Sequence, residues 1–450
     1  MEGRDMTQGK IWKQLTAFAL PLLLGLLLQL AYNAFDAIVV GNFVSSDALG
    51  SVGASGPLIN IIVSFFMGMS SGSSVLISQY YGARDAKELR NTVHTSMLLS
   101  IILGAVLAVV GFFLAPAIMN LLKTPEDIFN DAVTYLRIFF IGMPALTVYN
   151  MGAAILTATG DSKRPLYFLI LSSVINIAGN LIFVLVFHMG VAGVAWSTIL
   201  SEIICAALVV LLLSRVPTGI RLNLKRLRIH KHILKRVLRL GLPSGIQGTI
   251  VSVSNAVVQG YINGLDVLLN GGVVAAYTST SRLDAFITLP IQAMTMAVST
   301  FVGQNLGAGQ VKRARSGVKV AMCLGIPCSA VLSAAVLLSG SFALRMFSGD
   351  EMVLNYGVEF MRVLAPGHFI LNFCQILPGA LRGANDVNLS TFASVGSFVV
   401  LRQIYLFFVT KSNNSIFTVA LGYPITWFIA AVIITVYYMR SNWSKFERSV

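Results

Sequence analysis

Ser78–Arg90 reads SQYYGARDAKELR, and Gly303–Arg315 reads GQNLGAGQVKRAR. Set 225 residues apart, Gln79, Gly82, Ala83, Lys87 and Arg90 fall on Gln304, Gly307, Ala308, Lys312 and Arg315. The same offset places Arg137 on Arg362, Gly142 on Gly367, Leu156 on Leu381 and Asp161 on Asp386. Near the start of each half, Leu20-Pro21 matches Leu242-Pro243 at an offset of 222, which implies a small insertion in between. Chance in a low-complexity apolar chain would not hold one register across three separate polar motifs, so the chain is read as a tandem duplication.

Between these motifs the chain is strongly apolar. Of 450 residues, 56% are hydrophobic and 11% charged, against about a quarter charged in ordinary soluble domains. Lipid is the solvent such a chain needs. At roughly 20 apolar residues per spanning helix, its apolar runs divide into about twelve spans, six per half. The expected fold is all-α and integral to the membrane, with twelve transmembrane helices in two pseudo-two-fold related six-helix lobes. The expected boundaries are 1–213 for the first lobe, 214–235 for a hydrophilic linker and 236–450 for the second. Because six is even, both halves start on the same side, so their axis runs along the membrane normal and a cleft is expected between them.

The net charge of +14 does not point to nucleic acid. The basic residues sit in short segments between apolar runs: 25 fall on alternate connections and the two termini, whereas the opposite connections hold only Lys123, Arg345 and Lys411. That asymmetry predicts both termini on the cytoplasmic side of the cell membrane. The first apolar run, about Leu15 to Val40, is too long for a removable signal peptide. Cys205, Cys323, Cys328 and Cys374 lie inside apolar runs without metal-ligand spacing and are read as small packing residues. There is no HExxH or GxSxG motif and the five histidines are scattered, so a membrane enzyme is disfavoured.

Ionisable side chains inside spans cost about 2.5–3.5 kcal/mol each at a helix centre and are functional candidates for that reason. Asp36, in the first span, is the foremost: an acid stranded in hydrocarbon suits proton coupling, although an anchor near the membrane surface is the plain alternative. Asn176 and Asn180 share one helix face in the fifth span, and Thr198 lies in the sixth. Such oxygens suit a proton network or a small hard cation, or equally hydrogen-bonded glue between helices. Glu202, also in the sixth span, and Asp284, in the eighth, are possible accessory acids. Arg282, Asp284, Glu359, Arg362 and Arg402 are expected to neutralise one another across helices. Pro21 removes a backbone hydrogen bond and is a candidate hinge of the first helix, or a static kink. Asp161 and Asp386 mark cytoplasmic turns, where they can cap the following helices.

Taken together, YNAFDAIVVG (Tyr32–Gly41), the paired motifs above, TATGDSKRP (Thr157–Pro165) and LRGAND (Leu381–Asp386) resemble the multidrug and toxic compound extrusion (MATE) family, nearer its DinF-like branch. The resemblance covers nearly the whole chain. It implies efflux of amphipathic, often cationic compounds against protons or Na+ by alternating access, with no other cofactor and as a monomer. It also implies a cation site in the first lobe, which Asp36, Asn176 and Thr198 match. Asn180 stands where the family often has Asp, which disfavours Na+ at Asp36, Asn176, Asn180 and Thr198 and favours H+; Glu202 stands where Gln is commoner. The seventh-helix Glu of the NorM-like branch is missing from GLPSGIQGTIVSVSN. A flippase for lipid-linked saccharides is the alternative reading by architecture.

Overall fold

The computed structural model describes residues 4–44, 46–216, 219–269, 271–346, 348–412 and 415–446, and these contain helices and no strand. Twelve long helical segments follow one another. They are α1 (Ile11–Phe43), α2 (Ser46–Gly82), α3 (Ala86–Leu121), α4 (Glu126–Ala158), α5 (Lys163–Leu181, extended by a π-turn at Ile182–Val186) and α6 (Gly190–Arg215). The second series comprises α7 (Lys231–Leu268), α8 (Val273–Gly307), α9 (Val311–Arg345), α10 (Glu351–Gly383), α11 (Asn388–Ser412) and α12 (Ile416–Arg440). Eleven are both long and apolar enough to cross a membrane. The other, α7, has the length but carries Ser, Asn and Gln along its course. Side chains such as Phe113, Leu338 and Phe342 are exposed on these helices, as a lipid solvent requires and water would penalise.

Polar side chains start several helices by taking up N–H groups that have no intrahelical acceptor. Asp85 accepts from the backbone N–H of Glu88 at 3.0 Å, Asp350 from Met352 at 2.8 Å and Ser415 from Thr418 at 3.3 Å. Two spans are interrupted. α10 consists of Glu351–Leu364 and His368–Gly383, separated by a 3-10 turn over Ala365–Gly367 that contains Pro366. α11 carries a π-turn at Gly396–Leu401, where the Phe398 carbonyl accepts from Ser254 Oγ at 3.1 Å.

The chain forms two compact units. One comprises Met1–Asp5 and Leu20–Gly245, the other Met6–Ala19 and Ile246–Val450. The opening turns of α1 thus belong to the second unit and those of α7 to the first, and the duplicated motifs hold them there. In the second unit, Gln304 accepts from the Met6 backbone N–H at 3.0 Å, Asn305 donates to the Met6 carbonyl at 3.2 Å, and Arg313 donates to the carbonyls of Gln8 and Gly9. In the first unit, Tyr80 accepts from Arg236, and His232 lies 2.9 Å from Glu88.

Segment 214–235 is a packed strap as far as it is described. Val216, Ile220 and Leu222 join a core with Ile77, Val93, Met97 and Ile155, His94 accepts from the backbone of Asn223, and Thr95 accepts from that of His230. Within the same unit α2 and the start of α7 cross at closest range where Gly68 faces Gly245 and Gly72 faces Gly241. Of the four cysteines, Cys205 and Cys374 are buried packing residues as expected, while Cys323 and Cys328 are exposed on α9.

Candidate functional site

α1, α5 and α6 of the first unit bring Asp36, Asn180, Asn176 and Thr198 into one connected chain. Asn180 Nδ2 donates to Asp36 Oδ1 at 2.6 Å and to Asn176 Oδ1 at 3.1 Å. Asn176 Nδ2 donates to Thr198 Oγ1 at 3.1 Å, and Thr198 Oγ1 donates to the Val194 carbonyl at 3.1 Å. Both asparagines are fully buried, whereas Asp36 is half-buried. The donors run both ways from Asn180: one hydrogen goes to the Asp36 carboxylate, and the other starts a relay through Asn176 and Thr198 that ends on the Val194 carbonyl, so Asp36 is met by Asn180 as an acceptor. An amide hydrogen bond to a charged oxygen is roughly twice as strong as a neutral one.

Local sequence explains why the chain closes. Asn176 and Asn180 are one turn apart, and the π-turn at Ile182–Val186 follows directly. Small residues let α5 and α6 approach: a side chain at Gly179 would meet Ser197 Oγ at 2.6 Å. This closeness lets Ser197 Oγ donate to the Asn176 carbonyl at 2.7 Å. An apolar cluster of Val39, Val40, Val184, Val191 and Val194 packs the ends of the same helices. Gly179→Val is therefore expected to push α5 from α6, at about 1–3 kcal/mol for overpacking, and to break the Asn176–Thr198 link. The thermal midpoint of the purified chain should fall while membrane yield is kept; an unchanged midpoint would show that the close approach is dispensable.

Sequence reasoning missed the tyrosines around this chain. Tyr32 bonds to Thr198 and interacts electrostatically with Asp36, Glu202 and Tyr135. Its position one turn before Asp36 on α1 was a readable signal; Tyr135, on α4, left none. Glu202 lies one turn beyond Thr198 on α6, and its Oε2 is buried without a hydrogen-bond partner among the described residues. Pro21 lies inside α1. Asp161 accepts from the Arg164 backbone N–H at 3.1 Å and pairs with the Arg164 side chain at 3.2 Å. Asp386 accepts from Tyr437 Oη at 2.6 Å.

Asp284 lies apart from these residues, in the second unit, where its Oδ1 is 2.7 Å from His368 Nε2. The neighbour described for Asp284 is a histidine, a residue that the sequence reading had not paired with it. Arg402, buried in α11, stacks on Tyr423 at 4.3 Å and reaches Thr426 at 3.4 Å, so aromatic faces rather than a carboxylate receive its charge.

Comparison with known proteins agrees with this architecture. The MatE family model matches residues 21–182 and again 243–408, beginning at Pro21 and Pro243 of the two halves. The chain belongs to the MatE family. As a MATE protein it is a multi-span membrane transporter of the efflux type and not an enzyme. It is 29% identical to a protein of Bacillus subtilis (strain 168) described as probable multidrug resistance protein YpnP, over 99% of both chains. It is 23% identical to a FAD transporter of Shewanella oneidensis (strain ATCC 700550 / JCM 31522 / CIP 106686 / LMG 19005 / NCIMB 14063 / MR-1), over 82% of both. A solved outward-facing multidrug resistance MATE family transporter of the MOP superfamily superimposes with a TM-score of 0.90 at 22% identity, covering 100% of this chain and 99% of that one, and shares the fold.

Proposed function

We propose that this MATE protein exports amphipathic, cationic organic compounds in exchange for protons, by alternating access, with Asp36 as the coupling acid. The observation that carries the reading is the 2.6 Å hydrogen bond from Asn180 to Asp36 at the head of the buried Asn180–Asn176–Thr198 chain. A ligand shifts a two-state equilibrium only through unequal affinity for the two states. Asp36 meets that condition if it is charged in one state and neutralised in the other. Bending of α1 at Pro21 would carry the change along the helix.

Support for H+ over Na+ comes from the donor set. The amide nitrogen of Asn180 faces the carboxylate, and an N–H repels a metal ion where a second carboxylate would attract it. The basic residues of alternate connections support placement in the cell membrane with both termini cytoplasmic, and the repeat supports lobes of 1–213 and 236–450 joined by 214–235. Multidrug resistance proteins among the relatives support drug-like substrates.

The test is ethidium efflux from reconstituted vesicles with proton and sodium gradients imposed separately. A proton gradient alone should drive efflux and a sodium gradient should not. Asn180→Asp, which supplies a second carboxylate, should make efflux respond to sodium. Efflux driven by sodium alone in the unaltered chain would refute the proton assignment.

A further inference from the structure

Segment 219–235 carries basic side chains for which the described residues supply no counter-charge. Between Glu202 and Asp266 the sequence holds no acidic residue. Arg221, Lys225, Arg226, Arg228, Lys231 and Lys235 lie in that interval, and all six are exposed. None of them takes part in an ion pair among the described residues. Basic residues of other polar segments have work inside the molecule. Arg164 pairs with Asp161, Arg313 holds the carbonyls of Gln8 and Gly9, and Arg315 donates to the Ser441 carbonyl at 2.7 Å. In 219–235 only Arg221 finds a comparable use among the six, on the Ser214 carbonyl at 3.1 Å.

The segment is nevertheless held in place. Ile220 and Leu222 are buried in the core of the first unit, and Leu227 packs against it. The Asn223 backbone N–H donates to His94 Nε2 at 3.1 Å, and that of His230 donates to Thr95 Oγ1 at 3.1 Å. With the apolar side chains inward and the backbone pinned, the charges face outward on a fixed scaffold. Leu224 is 54% exposed among them. The segment joins the end of α6 at Arg215 to the start of α7 at Lys231, two helices of the transmembrane bundle, which places it at the bilayer surface. α7 also opens on Lys231 with no acid in its first turn. Cations are unfavourable at a helix N-terminus, whose free N–H groups carry partial positive charge, so an anion outside relieves both.

We infer that the outer face of 219–235 docks the anionic phospholipids of the leaflet it flanks. Headgroup phosphates meet the Lys and Arg side chains, and Leu224 enters the acyl boundary beneath them. A basic side chain at a charged membrane surface is worth roughly fivefold in affinity, so several acting together select anionic over zwitterionic lipid. RNA would also meet these charges, but it has no use for an exposed leucine at the bilayer surface.

The test follows the thermal midpoint of the purified full chain in neutral detergent micelles as dioleoyl phosphatidylglycerol or dioleoyl phosphatidylcholine is added; it involves neither Asp36 nor transport. Phosphatidylglycerol should raise the midpoint at much lower concentration, and the difference should shrink between about 0.1 and 1 M NaCl, as screening requires. The combined variant Lys225→Gln, Arg226→Gln, Arg228→Gln should need roughly 100-fold more phosphatidylglycerol, three charges at about fivefold each. Lys312→Gln with Lys319→Gln, which removes exposed charges from α9, should leave the response nearly unchanged. Equal responses to the two lipids would overturn the inference, as would a full response in the triple variant. A midpoint raised as much by transfer RNA at equal phosphate concentration would assign the face to nucleic acid instead. If the triple variant fails to elute as a folded species, hydrogen exchange of the unaltered chain decides. Amides of 219–235 should exchange more slowly in phosphatidylglycerol nanodiscs than in phosphatidylcholine nanodiscs, and equal rates there would sink the proposal.

Discussion

Asp36→Asn should reduce proton-driven ethidium efflux by about 100-fold, toward the upper end of ordinary coupling free energies, with little change in the amount of protein in the membrane. Asn has nearly the shape of Asp, and its Oδ1 can still accept from Asn180 Nδ2, which lies 2.6 Å away in the unaltered chain. The interhelical chain through Asn176 to Thr198 therefore has no reason to come apart. What the variant loses is the ability to differ in charge between two states, and with it any unequal affinity for a proton. Downhill movement of ethidium without a gradient should persist. Uphill efflux at the normal rate by this variant would remove Asp36 from the mechanism.

Gly72→Leu should be the most damaging single change to folding. A Cβ at Gly72 would overlap the backbone of Gly241, and one at Gly68 the backbone of Gly245. Neither can be relieved by rotating a side chain, because the obstacles are main-chain atoms. From the other side, a side chain at Gly245 would lie 2.9 Å from the Phe65 carbonyl. Spacing of four on both helices makes this a paired small-xxx-small crossing, a main source of helix association where lipid supplies no hydrophobic drive. Leucine should separate α2 from the start of α7 and detach the segment up to Gly245 from the first unit. A loss exceeding roughly 4 kcal/mol belongs to such exceptional cases. The monodisperse peak on size exclusion should nearly disappear. Gly53→Ala, on the same helix with nothing within 4 Å, should behave as the unaltered chain. A Gly72→Leu protein with a normal peak and thermal midpoint would show that the crossing is not required.

Much of the architecture was legible because the signals are local. Apolar runs marked the helices, and matching polar motifs marked the two halves. The purpose of those motifs was not legible. Gln304, Asn305 and Arg313 hold the backbone of Met6–Gly9, a pairing across some 300 residues that no spacing announces. The site was read in part. Asp36 stood out as an acid in an apolar run, and Asn176 and Asn180 stood out by sharing a face, but each had an equally plain structural reading. Tyr135 and His368 were passed over because an aromatic or a lone histidine in an apolar helix is ordinary until its neighbour is known.

From the sequence alone came the lipid solvent, the helical class, the duplication and the identity of the acid that hydrocarbon makes expensive, since hydropathy and periodicity add up residue by residue along one chain. Tertiary structure alone decided the partners: Asn180 for Asp36, 144 residues away, His368 for Asp284, and the opposite unit for the opening turns of α1 and α7. Partnership depends on the rotation and closeness of whole helices. These are set where small residues such as Gly72 and Gly179 let two backbones meet, and that is a property of pairs of helices, not of either one.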